Sequence, residues 1–212
     1  MKSRSIAVEG PIGVGKTSFV ELLAKKFDAQ TVLENLDNPF LQGFYEDKQG
    51  AAFQVQLFFL LSRYRQLQEL AQRDLFQQIT ICDYIFPKDK IFAYLNLDDS
   101  ELLIYDKLYA MLEAQVPKPD LTIFLQAETR TLVERISRRN RDYEAQISEA
   151  YINEVNKAYN YFFFHYNQTP LLVIDTTSID FVHHEEHLDE LVDQIRKMER
   201  GVQYYRPLGS TA

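Results

Sequence analysis

Eight residues near the start of the chain, Gly10-Pro11-Ile12-Gly13-Val14-Gly15-Lys16-Thr17, fit the pattern G-x-x-x-x-G-K-[ST]. Glycines at that spacing let backbone N–H groups converge on phosphate oxygens, a lysine meets the β and γ phosphates, and the threonine hydroxyl is offered to Mg2+. Ahead of the loop, Ser5 to Glu9 is a short apolar run that suits a buried strand. Behind it, Lys16 to Phe27 has helical periodicity. A helix starting on the loop points the positive end of its dipole at the anion. Strand, loop and helix together predict a site for ATP as phosphoryl donor.

The loop fixes a donor and leaves the reaction open, so other positions must decide it. The guanine-reading N-K-x-D tetrapeptide is absent: Asn156-Lys157 is followed by Ala158 and Tyr159 inside a helical stretch, which argues against a GTPase. Two carboxylates stand at predicted strand ends, Glu34 after Thr31-Val32-Leu33 and Asp83 after Ile79-Thr80-Ile81-Cys82. In a parallel sheet ligands bind beyond the carboxyl ends of the strands, which places both beside the Gly-rich loop. Glu34 is suited to accept the proton of an attacking hydroxyl, and Asp83 to organise magnesium. Gln56 and Arg63 are seven residues apart on a predicted helix, two turns, so one face presents an amide and a guanidinium to a planar base. Arg135-Ile-Ser-Arg-Arg-Asn-Arg141 is strongly basic in a chain of net charge −8, and a transferring phosphate is the anion that such a run would meet.

The elements that must position these groups alternate. Apolar runs at Ser5 to Glu9, Thr31 to Leu33, Ile79 to Cys82, Leu121 to Leu125 and Leu171 to Ile174 are separated by helical stretches at Ala52 to Arg73, Glu101 to Ala114, Thr129 to Arg138, Ser148 to Tyr166 and Glu185 to Glu199. The alternation predicts an α/β fold, a five-stranded parallel sheet with helices on both faces, as one domain over residues 1–212. Gly201 to Ala212 reads as a loosely held tail. With 46% apolar and 25% charged residues the composition is that of an ordinary globular protein. The acidic balance argues against a nucleic-acid polymer as partner. No run is long enough for a signal peptide or a membrane span, and the lone Cys82 reads as a buried thiol, so a cytoplasmic location is expected.

Nearly the whole chain resembles the deoxyribonucleoside kinases, particularly their bacterial deoxyadenosine and deoxyguanosine kinase branch. The resemblance rests on the loop, on Glu34, on Asn38-Pro39-Phe40-Leu41 leading to Phe44-Tyr45-Glu46-Asp47, on Gln56 to Arg63, Pro119-Asp120-Leu121, Arg135 to Glu144 and Ile179-Asp180-Phe181. It implies the P-loop NTPase fold with an Arg-rich lid, ATP and Mg2+ as cofactors, and a homodimer. It implies Glu34 as general base, Gln56 and Arg63 as readers of the nucleobase, and Tyr45 and Glu144 on the sugar. It further implies Arg135, Arg139 and Arg141 as lid arginines that neutralise charge in the transition state, and Asp180 and Phe181 as ATP contacts.

The sequence departs from the family after Asp83, where Arg and Ser are replaced by Tyr84 and Ile85. Lys88 or Lys90 is the expected source of the missing positive charge. Asp89 falls where purine-preferring members carry an Asp facing the base, and an acidic acceptor there suits the amino group of adenine or the N1–H and amino group of guanine. The expected reaction is transfer of the ATP γ-phosphoryl group to the 5′-hydroxyl of a purine deoxynucleoside. A nucleoside monophosphate kinase would need more arginines on the acceptor side than Arg63, Arg65 and Arg73. An ATP-binding regulatory protein is the third reading. His183 to His187 literally fits H-x-x-E-H, but the segment reads as the polar start of the last helix. Asp98 to Glu101 likewise reads as a helix start.

Overall fold

The computed structural model describes residues 5–46, 48, 50–73, 79–139 and 147–207, with the side chains at 45, 72, 73 and 139 lying outside that description. The chain divides into two compact units. One is formed by Met1–Leu33, Gln77–Ile85 and Lys118–Ala212, the other by Glu34–Phe76 and Phe86–Pro117.

The first unit is built on a parallel sheet. Its strands are β1 (Ser5–Glu9), β2 (Gln30–Val32), β3 (Thr80–Cys82), β4 (Leu121–Gln126), β5 (Leu171–Asp175) and β6 (Val202–Tyr205), in the order β2-β3-β1-β4-β5-β6. Six strands stand where five were expected. The sixth comes from Val202–Tyr205, so this part of the expected tail is an edge strand, in register with β5 from Leu171↔Val202 to Ile174↔Tyr205. Three of its four residues are exposed, so no apolar run marked it. The chain leaves β1 for β2 and β3 on one side and reaches β4 on the other, so β1 lies at a topological switch point.

Helices α1 (Lys16–Phe27), α6 (Thr129–Arg139), α7 (Glu149–Phe164) and α8 (Glu185–Lys197) belong to this unit. Phe19, Val20 and Leu23 of α1, Leu132 and Ile136 of α6, Ile152 of α7 and Leu188, Leu191 and Ile195 of α8 join Ile6, Val8, Ile123 and Leu125 in one apolar core. The residues of α1, α6 and α8 recur at three- to four-residue spacing, the stripe that a helix lays on a sheet.

The second unit is helical: α2 (Leu41–Tyr45), α3 (Ala51–Arg73), α4 (Lys88–Asn96) and α5 (Asp99–Glu113). Asn38 fastens its entry, donating from Nδ2 to the Val55 carbonyl at 3.2 Å while its Oδ1 accepts from the Phe40 N–H at 3.0 Å. Asp98 opens α5 with a reciprocal capping box to Glu101, the helix start expected from the sequence. Along α3 the buried positions are Ala51, Val55, Gln56, Leu60, Arg63 and Leu67, so Gln56 and Arg63 share the inward face and not the solvated one. No helix among the described residues is long and apolar enough to cross a membrane.

Candidate active site

The phosphate loop lies in the first unit. Gly13 and Gly15 have φ of 86° and 100°, values open to glycine and strained for other residues. A Cβ at Gly13 would stand 2.8 Å from the Leu132 carbonyl oxygen, and one at Gly15 would stand 3.1 Å from the Phe181 ring. Pro11 and Val14 are buried and Ile12 half-buried, which anchors the loop between its glycines. Gly15 caps α1 without a side-chain hydrogen bond, and the first turn carries no acid, so the first N–H groups of α1 keep their positive character. Lys16 arcs back over the loop, with its ammonium donating to the Gly10 carbonyl at 2.6 Å and the Pro11 carbonyl at 3.3 Å.

Glu9, the last residue of β1, is fully buried. Its Oε2 accepts from the Gly10 N–H at 3.0 Å and its Oε1 from the Ile85 N–H at 3.1 Å, so one carboxylate sets the start of the loop and the turn after β3. The sequence reading passed over it. A charged residue closing a central apolar strand directly before a Gly-rich loop was the available signal.

Thr17 and Asp83 come together, with the Thr17 hydroxyl donating to Asp83 Oδ2 at 3.4 Å. Two hard oxygen donors at the mouth of a phosphate loop fit Mg2+, which takes few protein ligands and keeps waters and phosphate oxygens for the rest. Among the described residues no cluster of three or more His, Cys, Asp and Glu offers an all-protein metal cage. Cys82, next to Asp83, has its thiol pushed up to about 12 by burial and by the Asp83 charge, which leaves it an inert core residue.

Arg135 of α6 spends its guanidinium on the protein. Nη1 donates to the Val14 carbonyl at 3.3 Å and Thr176 Oγ1 at 3.2 Å, and Nη2 to the carbonyls of Thr176 at 2.7 Å and Ile179 at 3.1 Å. It thereby ties the phosphate loop to the segment that carries Asp180 and Phe181. Phe181 is buried edge-on against Phe19, with centroids 5.0 Å apart, and its ring fills the space that a side chain at Gly15 would enter. Asp180 accepts from the N–H groups of Val182 and His183 at 3.0 and 3.1 Å and contacts His183 Nδ1 at 2.7 Å, which closes the turn before α8. Arg139 ends α6 and its side chain lies outside the described residues, as do Arg141 and Glu144 altogether.

The second unit holds the carboxylates and cations expected at an acceptor. Arg63 is buried between two acids, donating from Nε to Glu34 Oε1 at 2.7 Å, from Nη2 to the same oxygen, and from Nη1 to Asp89 Oδ1. Lys88, also buried, donates to Glu34 Oε2 at 2.7 Å. Of the two candidate lysines it is thus Lys88 that reaches the expected base, whereas Lys90 sits 4.3 Å from the Tyr109 ring centroid. Burial acts to raise the pKa of Glu34, but Arg63 and Lys88 outweigh it and hold the carboxyl at about 2. Asp89 goes the other way. Burial prevails over its contact with Arg63, Glu34 adds to the rise, and the carboxyl stands at about 6. Gln56 is 4% exposed with its Oε1 unbonded, and Asp89 Oδ2 is likewise buried without a partner. Tyr45 lies on α2.

Residues 6–199 match the family model described as deoxynucleoside kinase. The chain is 33% identical over 199 residues to a deoxyguanosine kinase of Bacillus subtilis, with 91% of this chain and 96% of that one covered. It is 31% identical to a deoxyadenosine/deoxycytidine kinase of the same organism, with 92% of each covered. In fold it is similar to a deoxyadenosine kinase from M. mycoides solved with bound dATP, with a TM-score of 0.78 at 24% identity over 91% of this chain and 99% of that one. The matched residues take in the phosphate loop of the first unit and Glu34, Arg63 and Asp89 of the second, and the chain belongs to the deoxynucleoside kinase family.

Proposed function

We propose that the protein transfers the γ-phosphoryl group of ATP to the 5′-hydroxyl of a purine deoxynucleoside, deoxyadenosine or deoxyguanosine. The observation that carries the purine reading is Asp89, a buried carboxylate with one oxygen unbonded, in the same helical unit as the equally buried amide of Gln56. A carboxylate accepts hydrogen bonds from the amino group of adenine or the N1–H and amino group of guanine.

The chemistry is positioning and charge neutralisation. The loop N–H groups and Lys16 hold the phosphates. Thr17 and Asp83 would hold Mg2+, which neutralises charge on the β and γ oxygens when bound. Glu34 orients the 5′-hydroxyl and takes its proton as the new P–O bond forms. With Arg63 and Lys88 keeping it ionised at all working pH values, its strength lies in being always available and not in basicity. We assign Arg139 and Arg141 to the transferring phosphoryl group, Arg135 to joining that lid helix to the loop, Tyr45 and Glu144 to the sugar, and Asp180 and Phe181 to the ATP side. Exposed Ile104, Leu108 and Met111 on one face of α5, with Leu103 exposed beside them, favour a homodimer.

A nucleoside monophosphate acceptor is disfavoured by the same cluster, because Arg63 is already engaged by two carboxylates that would repel a phosphate. The test is a panel of deoxynucleosides and their monophosphates with labelled ATP. Label in dAMP or dGMP formed from the nucleosides is the expected result; label only in diphosphates would overturn the reading.

A further inference from the structure

Among the described residues of the helical unit, three buried polar atoms have no hydrogen-bond partner: Gln56 Oε1 on α3, Asp89 Oδ2 on α4 and the Tyr105 hydroxyl on α5. The first two are the acceptor groups assigned above. The third was singled out by no motif. An unbonded hydroxyl in a protein interior costs free energy, so its persistence calls for a partner that arrives later.

Tyr105 sits one helical turn before Tyr109 on α5. Both side chains are buried, and their rings lie 6.0 Å apart, while Tyr109 stacks on Phe86 at 5.2 Å. The Tyr109 hydroxyl donates to Glu113 Oε1 at 2.9 Å. The Tyr105 hydroxyl has no such partner. Burial first, and then the charge of Asp89, push its pKa up, which keeps it a neutral phenol that is able to donate. Lys90, the residue after Asp89, sits 4.3 Å from the Tyr109 ring, whose centroid lies 6.0 Å from that of Tyr105, so the start of α4 meets this part of α5, yet neither Asp89 Oδ2 nor the Tyr105 hydroxyl is bonded to the other. A group inserted between them would need a donor for the carboxylate beside an acceptor for the phenol. A purine edge has that order, as adenine's amino group beside its ring nitrogens or guanine's N1–H beside O6.

On the reading of the protein as a purine deoxynucleoside kinase, we propose that Tyr105 is a specificity-determining residue whose hydroxyl donates to the acceptor atom of the bound purine next to the group that Asp89 accepts from. The ring packing fixes the hydroxyl in advance, and the free protein bears an unsatisfied donor that the substrate relieves.

The test is Tyr105→Phe, which removes one oxygen and keeps the packing. Relief of an unsatisfied donor should raise Tm, while loss of its bond to the base should raise the KM for the purine deoxynucleoside about tenfold, with kcat and the KM for ATP held. A role in packing alone does not move KM. A hydroxyl satisfied by water in the free protein gives a lower Tm. An unchanged KM, or a fall in Tm, would overturn the proposal. If wild-type protein phosphorylates no purine deoxynucleoside, the functional reading itself fails; an active wild type with an indifferent Tyr105→Phe variant sinks only the role of Tyr105.

Discussion

Glu34 and Asp89 share one guanidinium, and their surroundings drive them apart. Glu34 has Arg63 on one oxygen and Lys88 on the other, whereas Asp89 is paired with Arg63, feels Lys88 only at a distance and meets the Glu34 charge as well. Two carboxyls pushed to about 2 and about 6 can take different roles near neutral pH. The folded-state pKa of Glu34 lies below its ordinary 4.5, so its contribution to stability is present above pH 4.5 and is lost as pH falls through about 2. Glu34→Gln should remove that acid limb from a pH series of thermal unfolding. It should also cut kcat by about 10²-fold or more with ATP binding kept; an active variant would show that the proton goes elsewhere. Asp89 has the opposite sign, since its raised pKa means that the folded state holds the proton more tightly. As an acceptor for a purine it must be ionised, so the KM for the deoxynucleoside should rise as pH falls through about 6. Asp89→Asn should lose that limb. A wild-type KM that stays flat across this interval would remove Asp89 from the base edge.

Arg135 shows what elements add to residues. In the sequence it is one of a run of arginines beside a predicted phosphate, but in the structure its two Nη atoms bind four oxygens of the protein and lock α6 to the loop and to the segment before α8. Arg135→Lys keeps the charge and cannot span those acceptors. The KM for ATP should therefore rise about tenfold while kcat at saturating ATP changes little, measured by steady-state kinetics. A kcat collapse at unchanged KM would instead give Arg135 a direct part in the transition state. Which acceptors a long side chain selects was not legible in the sequence, because Val14, Thr176 and Ile179 are remote from it along the chain. The buried strands and amphipathic helices were legible, since apolar runs and three- to four-residue spacing follow from their burial. Two helices were not. α2 has five residues and shows too little period to read, while α4 follows Pro87, whose φ of −61° already suits a helix start and was the signal available. Tyr105 was illegible for a third reason, because an unsatisfied hydroxyl is a property of its neighbours and leaves no mark in the local sequence.

At the scale of the whole molecule, one surface is at odds with the rest. The chain carries 31 acidic and 23 basic residues, enough to keep a monomer in solution. Yet α5 exposes Leu103, Ile104, Leu108 and Met111, at 62%, 51%, 37% and 67%. Ile104, Leu108 and Met111 follow each other by four and three residues, the spacing of a single stripe. Scattered exposed apolar residues carry no meaning, but a stripe of three on one helix, with Leu103 exposed beside it, is the form of an interface. The same helix buries Tyr105 and Tyr109 on a neighbouring face, so a partner chain on the stripe would also steady the residue proposed to read the base. Light scattering should give the mass of two chains for the wild type and of one chain for the Ile104→Glu, Met111→Glu double variant. The monomer should keep ATP binding, which depends on the sheet unit, and lose apparent affinity for the deoxynucleoside as α5 gains freedom. A wild type that runs as a single chain at all concentrations would refute the dimer and separate the α5 stripe from the acceptor site.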